Sequence, residues 1–336
     1  MKIAVVGTGV SGSYLVNRLS ESHEVVGFER RPKDKFFAVC AWGTSKYEMR
    51  KLTAGTGLDF DKYILWEGKT MHVEIGDEML DIPLDGLVTF NKHQFEVDLM
   101  KGRDVRYGVR ANKEELQKEG FDMIIDATGN HRELLPKIKN DAFIPCYETK
   151  MKYKGGPPID DFYVKPFARD TGYLWYFPLE KGHGYVGAGD FDKKQVDYVD
   201  EYNTAHPGEV EKRIGRPIRF LSPGYCEPFY EGNVVGVGEA IGTVFPILGE
   251  GIIPSIQCCN ILLETMPDFK KYRAKVLKHF AIFDECYKLV DLKIKGKFSL
   301  TRNAALMWKI YRYMKKREDR FGMAIRANDL RQIISV

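Results

Sequence analysis

The stretch from Lys2 to Glu29 constrains the fold of this chain more than any other. Lys2-Ile3-Ala4-Val5-Val6 is a short apolar run with the length and residue types of a buried strand. Gly7-Thr8-Gly9-Val10-Ser11-Gly12 follows, and Ser13 to Leu19 reads as a helix. His23 to Phe28 is a second strand that ends at Glu29. A glycine triplet alone is a weak signal. With a strand before it, a helix after it and an acid closing the next strand, it marks a Rossmann-type dinucleotide-binding unit. Gly7 makes the turn, Gly9 lets a pyrophosphate approach, and Gly12 lets the helix pack on the strand. Val10 and Ser11, within the glycine loop, count as cofactor contacts. Glu29 is placed to accept hydrogen bonds from an adenosine ribose. Arg30 follows as a phosphate-facing residue, although Arg30 and Arg31 together also suit a 2′-phosphate.

A second glycine-rich crossing lies far along the chain. Gly236-Val-Gly-Glu-Ala-Ile-Gly-Thr-Val-Phe-Pro-Ile-Leu-Gly-Glu-Gly251 carries five glycines and a proline. Val234 and Val235 precede it as a buried strand would, and Ile252, Ile253, Ile256, Ile261 and Leu262 follow at helical spacings. Glycines admit close backbone approach, and a helix N-terminus offers unpaired N–H groups and partial positive charge. Such a crossing suits a pyrophosphate or the electron-rich pyrimidine edge of a reduced flavin. A third strand, Phe121 to Asp126, stops at the small-residue turn Ala127-Thr128-Gly129. Three nucleotide-contacting turns so widely spaced fit FAD better than NAD, because FAD needs adenosine, pyrophosphate and isoalloxazine sites.

The order of these turns resembles the two-domain FAD fold of aromatic hydroxylases and their relatives. Within it, Tyr173-Leu-Trp175-Tyr-Phe177-Pro178, followed after eight residues by Gly187-Ala-Gly189, is similar to a signature of the geranylgeranyl reductase family. Pro246 and Gly249-Glu250-Gly251-Ile252 resemble the flavin-facing segment of that family. The resemblance covers about residues 1–265. It implies an FAD-dependent reductase that saturates isoprenoid double bonds, notably in archaeal membrane lipids. It also implies roles for particular residues. Cys40 is nominated as catalytic, with Ala41, Lys92, Gly238 and Glu239 beside the cofactor. Tyr173, Trp175, Phe177, Gly187 and Gly189 are assigned to the substrate. Glu239 stands where the family usually has Asp, and Ala41 where it usually has Gly. A lysine at position 92 is more commonly a surface residue. In a strand, alternate residues share a face, so Tyr173, Trp175 and Phe177 could form an aromatic wall along an isoprenoid tunnel.

With 336 residues, 44% of them hydrophobic, the chain can bury a sizeable core and hold two domains. A net charge of +4 gives no reason to expect nucleic acid. The six cysteines and seven histidines show neither disulfide nor metal spacing, so no metal is expected. No apolar run is long enough to cross a membrane, and the first strand begins at once, so a cytoplasmic protein is expected. The reading is an α/β protein with a Rossmann-type FAD-binding domain (1–61, 91–141 and 231–266). An inserted antiparallel-sheet substrate domain (62–90 and 142–230) and a helical C-terminal region (267–336) complete it. Residues 192–214 read as polar and helical, Arg219 to Glu227 as a strand, and Tyr272 to Val290 and Asn303 to Phe321 as helices. The last helix is basic, with Trp308, Tyr311 and Tyr313 close together, and could rest peripherally on an anionic membrane. An external electron donor, NAD(P)H or ferredoxin-like, is implied. A flavin monooxygenase or halogenase of the same fold, or a non-catalytic flavin and prenyl carrier, stands as the alternative. Trp-x-Trp-x-Ile-Pro of the halogenases resembles the Tyr-x-Trp-x-Phe-Pro found here.

Overall fold

A computed structural model describes residues 1–167 and 171–334. The fold is α/β, with a parallel sheet, a large mainly antiparallel sheet and a helical C-terminus. The parallel sheet has six strands, in the order Tyr230–Glu231, Val234–Gly236, Met123–Asp126, Lys2–Val6, Glu24–Glu29 and Val105–Tyr107. All neighbours are parallel except the first pair. Its central strands are buried on both faces, with Ile3, Ala4, Val5, Ile124, Ile125, Val234 and Val235 at 0% exposure, as parallel strands covered by helices must be. Val10–Leu19 packs beside Ile252–Thr265 and Lys92–Leu99. Because the strands are parallel, the turns after Val6, Glu29, Asp126 and Gly236 all open at one edge, where doubly wound sheets hold ligands.

The second sheet has seven strands, in the order Glu209–Gly215, Cys146–Lys152, His183–Asp190, Gly172–Pro178, Phe162–Pro166, Thr70–Ile75 and Glu78–Pro83. One pairing, Phe162–Pro166 on Thr70–Ile75, is parallel rather than antiparallel. Residues 62–90 also feed a separate three-stranded sheet made of Gly43–Ser45, Leu87–Phe90 and Ile64–Glu67.

Four stretches differ from the expectation, one of them Asn303 to Phe321, which is two helices, Leu300–Lys315 and Glu318–Phe321, parted by a turn at Lys316 and Arg317. Residues 192–214 are not uniformly helical. After the helix Gln195–Ala205, Glu209–Gly215 pairs with Cys146–Lys152 as an edge strand. A bulge at Glu211 turns Val210 to one face and Lys212 and Ile214 to the other, so no simple period of two marks this strand in the sequence. Arg219 to Glu227 is not a strand. Only Ile218–Arg219 pairs, with Phe143–Ile144, and Pro223 then starts a short 3-10 turn, since proline has no N–H for a ladder. The helix expected from Tyr272 to Val290 is two, Phe269–His279 and Ala281–Ile294, divided at the buried Phe280.

The C-terminal helices Leu300–Lys315, Glu318–Phe321 and Ala327–Ile334 pack against the rest of the molecule. Ile310 and Met314 of the first are buried, whereas Trp308 is 57% exposed. Among the described residues no helix is long and apolar enough to cross a membrane.

Candidate active site

The open edge of the parallel sheet and one face of the seven-stranded sheet enclose a cavity of about 600 Å³, a size suited to a bound cofactor or small ligand. Its dinucleotide end is walled by backbone. Gly7 has φ +87°, and a Cβ there would lie 2.6 Å from the Ala127 carbonyl oxygen. A Cβ on Gly12 would lie 1.8 Å from the Gly7 carbonyl oxygen, so this glycine serves helix–strand packing and not the cavity wall. A Cβ on Gly9 would meet nothing within 4 Å, so the open space beside Gly9 belongs to a ligand. The helix Val10–Leu19 has no side-chain cap and no acid in its first turn, leaving its first N–H groups for an anion. Glu29 is held ready. Its Oε2 accepts from Thr8 N (3.3 Å) and Thr8 Oγ1 (2.8 Å), and its Oε1 accepts from Arg31 N (2.9 Å). Val10, Ser11, Arg30, Ala127, Thr128 and Gly129 line the same end.

The turn after Asp126 and the Gly238–Ile241 turn are locked together by two buried arginines that the sequence reading did not single out. Arg219 donates to both Asp141 carboxylate oxygens (3.0 and 2.8 Å), to Asn130 O (2.8 Å) and to Glu239 O (2.6 Å). Its backbone N–H donates to Glu239 Oε1 (2.8 Å). Arg132 donates to the carbonyls of Ala240 (2.6 Å) and Cys226 (3.1 Å). Glu239 lines the cavity with Arg216 3.5 Å away. Gly238, at φ +62°, is packed against Ser11 and does not reach the wall.

Cys40 lines the cavity at φ +114°, a left-handed conformation that a cysteine rarely adopts. Its N–H donates to Glu148 Oε1 (3.2 Å), and Trp42 N donates to its Sγ (3.4 Å). Burial pushes the Cys40 thiol up, against the opposing pull of Lys92. Lys92 is not a surface lysine. Only 6% of it is exposed, and its Nζ lies 2.8 Å from Glu96 Oε1 and 3.2 Å from Val39 O. Burial acts to lower the Lys92 ammonium, but the Glu96 carboxylate holds it above its ordinary value. Glu96, at 1% exposure, is pushed up by the same burial. Glu148 is pushed up to about 7 by burial, which the Cys40 N–H and Lys92 only partly offset.

The far end is side-chain wall. Tyr173, Trp175 and Phe177 line the cavity on one face of their strand, while Leu174 and Tyr176 are buried on the other. Met71, Val73, Ile82 and Val164 extend the apolar wall. Gly189 is on the wall, but Gly187 is not. Trp175 and Gly187 are cross-strand partners, and a Cβ on Gly187 would lie 2.3 Å from the indole, so Gly187 is the floor under Trp175. Tyr173 Oη donates to Leu248 O (2.6 Å), tying this wall to the Pro246–Gly251 loop, whose Pro246, Gly249, Gly251 and Ile252 also line the cavity. Glu250, absent from the nominated residues, accepts from Ile253 N (3.1 Å) at the start of the Ile252–Thr265 helix and ion-pairs with Arg320. That helix start is thus partly capped by the chain's own carboxylate. Arg320 carries no sequence signal; only the packing of the C-terminal helices against the cavity reveals it.

The residues present therefore fit FAD: an uncapped helix start beside Gly9 for the pyrophosphate, an oriented Glu29 for the ribose, and a central space bounded by Cys40, Lys92 and the Pro246–Gly251 loop for the ring. When bound, FAD would supply or accept two electrons as hydride at that central space. The comparisons with known proteins agree in fold and cofactor. Residues 95–326 match the model of the tryptophan halogenase family. A digeranylgeranylglycerophospholipid reductase of Methanosphaera stadtmanae is 33% identical over 226 residues, which are 55% of this chain and 55% of that protein. A geranylgeranyl bacteriochlorophyll reductase-like protein of Thermoplasma acidophilum superposes with a TM-score of 0.69 at 18% identity, over 94% of this chain and 97% of that one. A flavin-dependent halogenase superposes with a TM-score of 0.67 at 14% identity, over 95% of this chain and 71% of that one. At such identities the superpositions show the shared fold.

Proposed function

The chain belongs to the tryptophan halogenase family, and within the FAD-binding fold that this implies, we propose that it is a reductase that saturates isoprenoid double bonds of membrane-lipid precursors. The observation that carries this reading is the 2.6 Å bond from Tyr173 Oη to Leu248 O. It joins the aromatic wall to the loop at the ring site, so an extended apolar chain lying along Tyr173, Trp175 and Phe177 runs into the place where hydride is available. An isolated double bond polarises weakly, so its reduction needs a proton source and exclusion of bulk water. The half-buried Cys40 and the buried Lys92 and Glu148 line the same cavity and meet both needs. The similarity to a digeranylgeranylglycerophospholipid reductase supports the same substrate class. A seat on an anionic membrane, through exposed Trp308 and the basic face of its helix, would bring lipid to the cavity.

A halogenase reading is the competitor that the family raises. It calls for a lysine free to act in the cavity. Of the two lysines that line the cavity among the described residues, Lys92 is held by Glu96 and the Val39 carbonyl, so the halogenase reading would have to rest on Lys293 of the C-terminal helices. The deciding experiment incubates FAD-loaded protein anaerobically with dithionite and a geranylgeranyl phospholipid, then weighs the lipid by mass spectrometry. Two hydrogens gained per double bond are expected. No gain, with halide incorporated into an aromatic substrate under oxygen, would establish the competitor.

A further inference from the structure

The central row of the seven-stranded sheet reads Trp175, Gly187, Glu148 and Ile214 across four strands, each the direct cross-strand partner of the next. Partners in such a row stand on one face of the sheet. Trp175 and Glu148 both line the cavity, and between them Gly187 has no side chain. The row therefore sets one carboxyl group beside the aromatic wall. Glu148 is 5% exposed. Its Oε1 accepts the Cys40 N–H at 3.2 Å, and its second oxygen has no hydrogen-bond partner among the described residues.

We propose that Glu148 is the proton donor of the reduction, handing its carboxyl proton to the substrate carbon next to the one that takes the hydride. This rests on the reductase reading above. The π pair of the double bond forms a C–H bond to the Glu148 proton. The pair delivered as hydride by reduced FAD forms the other C–H bond. The Glu148 carboxylate left behind regains a proton from solvent.

The surroundings suit this role. Groups facing Glu148 are the Cys40 thiol from the loop before Gly43, the Lys92 ammonium from its helix, and Cys146 and Tyr185 from the sheet. Lys92 favours the carboxylate, yet burial outweighs it and pushes the carboxyl up to about 7. A donor serves best when its pKa lies near the working pH. The Cys40 thiol, itself raised by burial, is the poorer acid of the two. Its backbone N–H instead fixes one Glu148 oxygen and leaves the other for the substrate.

The test compares wild type with Glu148→Gln and Glu148→Asp, each checked for FAD content and thermal melting. In the flavin-free protein, infrared difference titration of wild type against Glu148→Gln is expected to show one protonated-carboxyl band vanishing with a midpoint near pH 7. A missing band at neutral pH overturns the proposal without reference to turnover. With dithionite-reduced holoprotein and geranylgeranyl phospholipid, Glu148→Gln is expected to turn over roughly 10²–10⁴-fold more slowly. The wild-type rate falls as pH rises through about 7, because only the protonated carboxyl donates, and the variant loses that limb. Glu148→Asp keeps part of the rate and the limb. A glutamine variant as fast as a working wild type, with the same limb, overturns the donor role alone. A wild type that adds no hydrogen overturns the reductase reading and the donor role together.

Discussion

Around Gly7, Gly9 and Gly129 the cavity wall is main chain, whereas around Tyr173, Trp175 and Glu148 it is side chain standing on an antiparallel sheet. A main-chain wall offers N–H groups and space, which serve any ligand with a pyrophosphate. A side-chain wall offers shape and titratable groups, which decide what is bound and what reaction follows.

The largest effect that tests this contrast lies within the main-chain wall. Gly12 and Gly9 are neighbours in one motif but differ in what a methyl group would meet. Gly12→Ala sets a carbon 1.8 Å from a backbone oxygen, so strand and helix must separate. A loss above ~4 kcal/mol is expected, in the range reserved for severe core disruption. Gly9→Ala meets no protein atom and Gly9 has φ −67°, so the flavin-free protein should melt close to wild type. Its FAD affinity should nevertheless fall, because the methyl group occupies ligand space. Thermal melts of flavin-free protein and flavin-fluorescence titrations separate the two outcomes. Equal destabilisation by both changes would mean that the space beside Gly9 is not a ligand cradle.

The second effect is at the boundary between the walls. Lys92→Met leaves the Glu96 carboxylate 1% exposed and unpaired. Breaking one partner of a buried pair costs ~3–5 kcal/mol. Adding Glu96→Leu should recover most of that loss, since a well-packed apolar pair replaces the ions. Chemical denaturation of the two single variants and the double variant gives the coupling. A surface lysine would show almost none.

The same contrast explains what could be read from the sequence. Gly7, Gly9, Gly12 and Glu29 act through local backbone geometry, so their spacing along the chain carries their meaning, and the structure sets Gly9 and Glu29 in the cavity wall. The aromatic wall was legible through a strand period of two. Glu148 was not, because a lone acid in a strand has no local signature. Its place depends on the register of four strands brought together from residues 146 to 215. Arg219 and Arg132 were missed for a related reason: what they hold are carbonyl oxygens of turns distant in sequence. The Glu209–Gly215 strand escaped because the bulge at Glu211 breaks its period of two. Gly187 was assigned to the substrate because it belongs to the signature, but its absent side chain is filled by Trp175.

The smallest effect concerns the side-chain wall alone. Trp175→Ala removes a ring that rests on Gly187 and borders the cavity beside Tyr173, whose ring centroid is 5.7 Å away. A prenyl chain long enough to run along the wall loses that contact, whereas a short chain confined to the ring site keeps its own. The KM ratio between long and short isoprenoid substrates should therefore rise about tenfold, or ~1.4 kcal/mol. Gly187→Ala sharpens the point, because its methyl group displaces the indole without deleting it and should give the same preference in weaker form. Equal losses for long and short chains in both variants would assign Trp175 to the sheet core and remove the aromatic wall from substrate recognition.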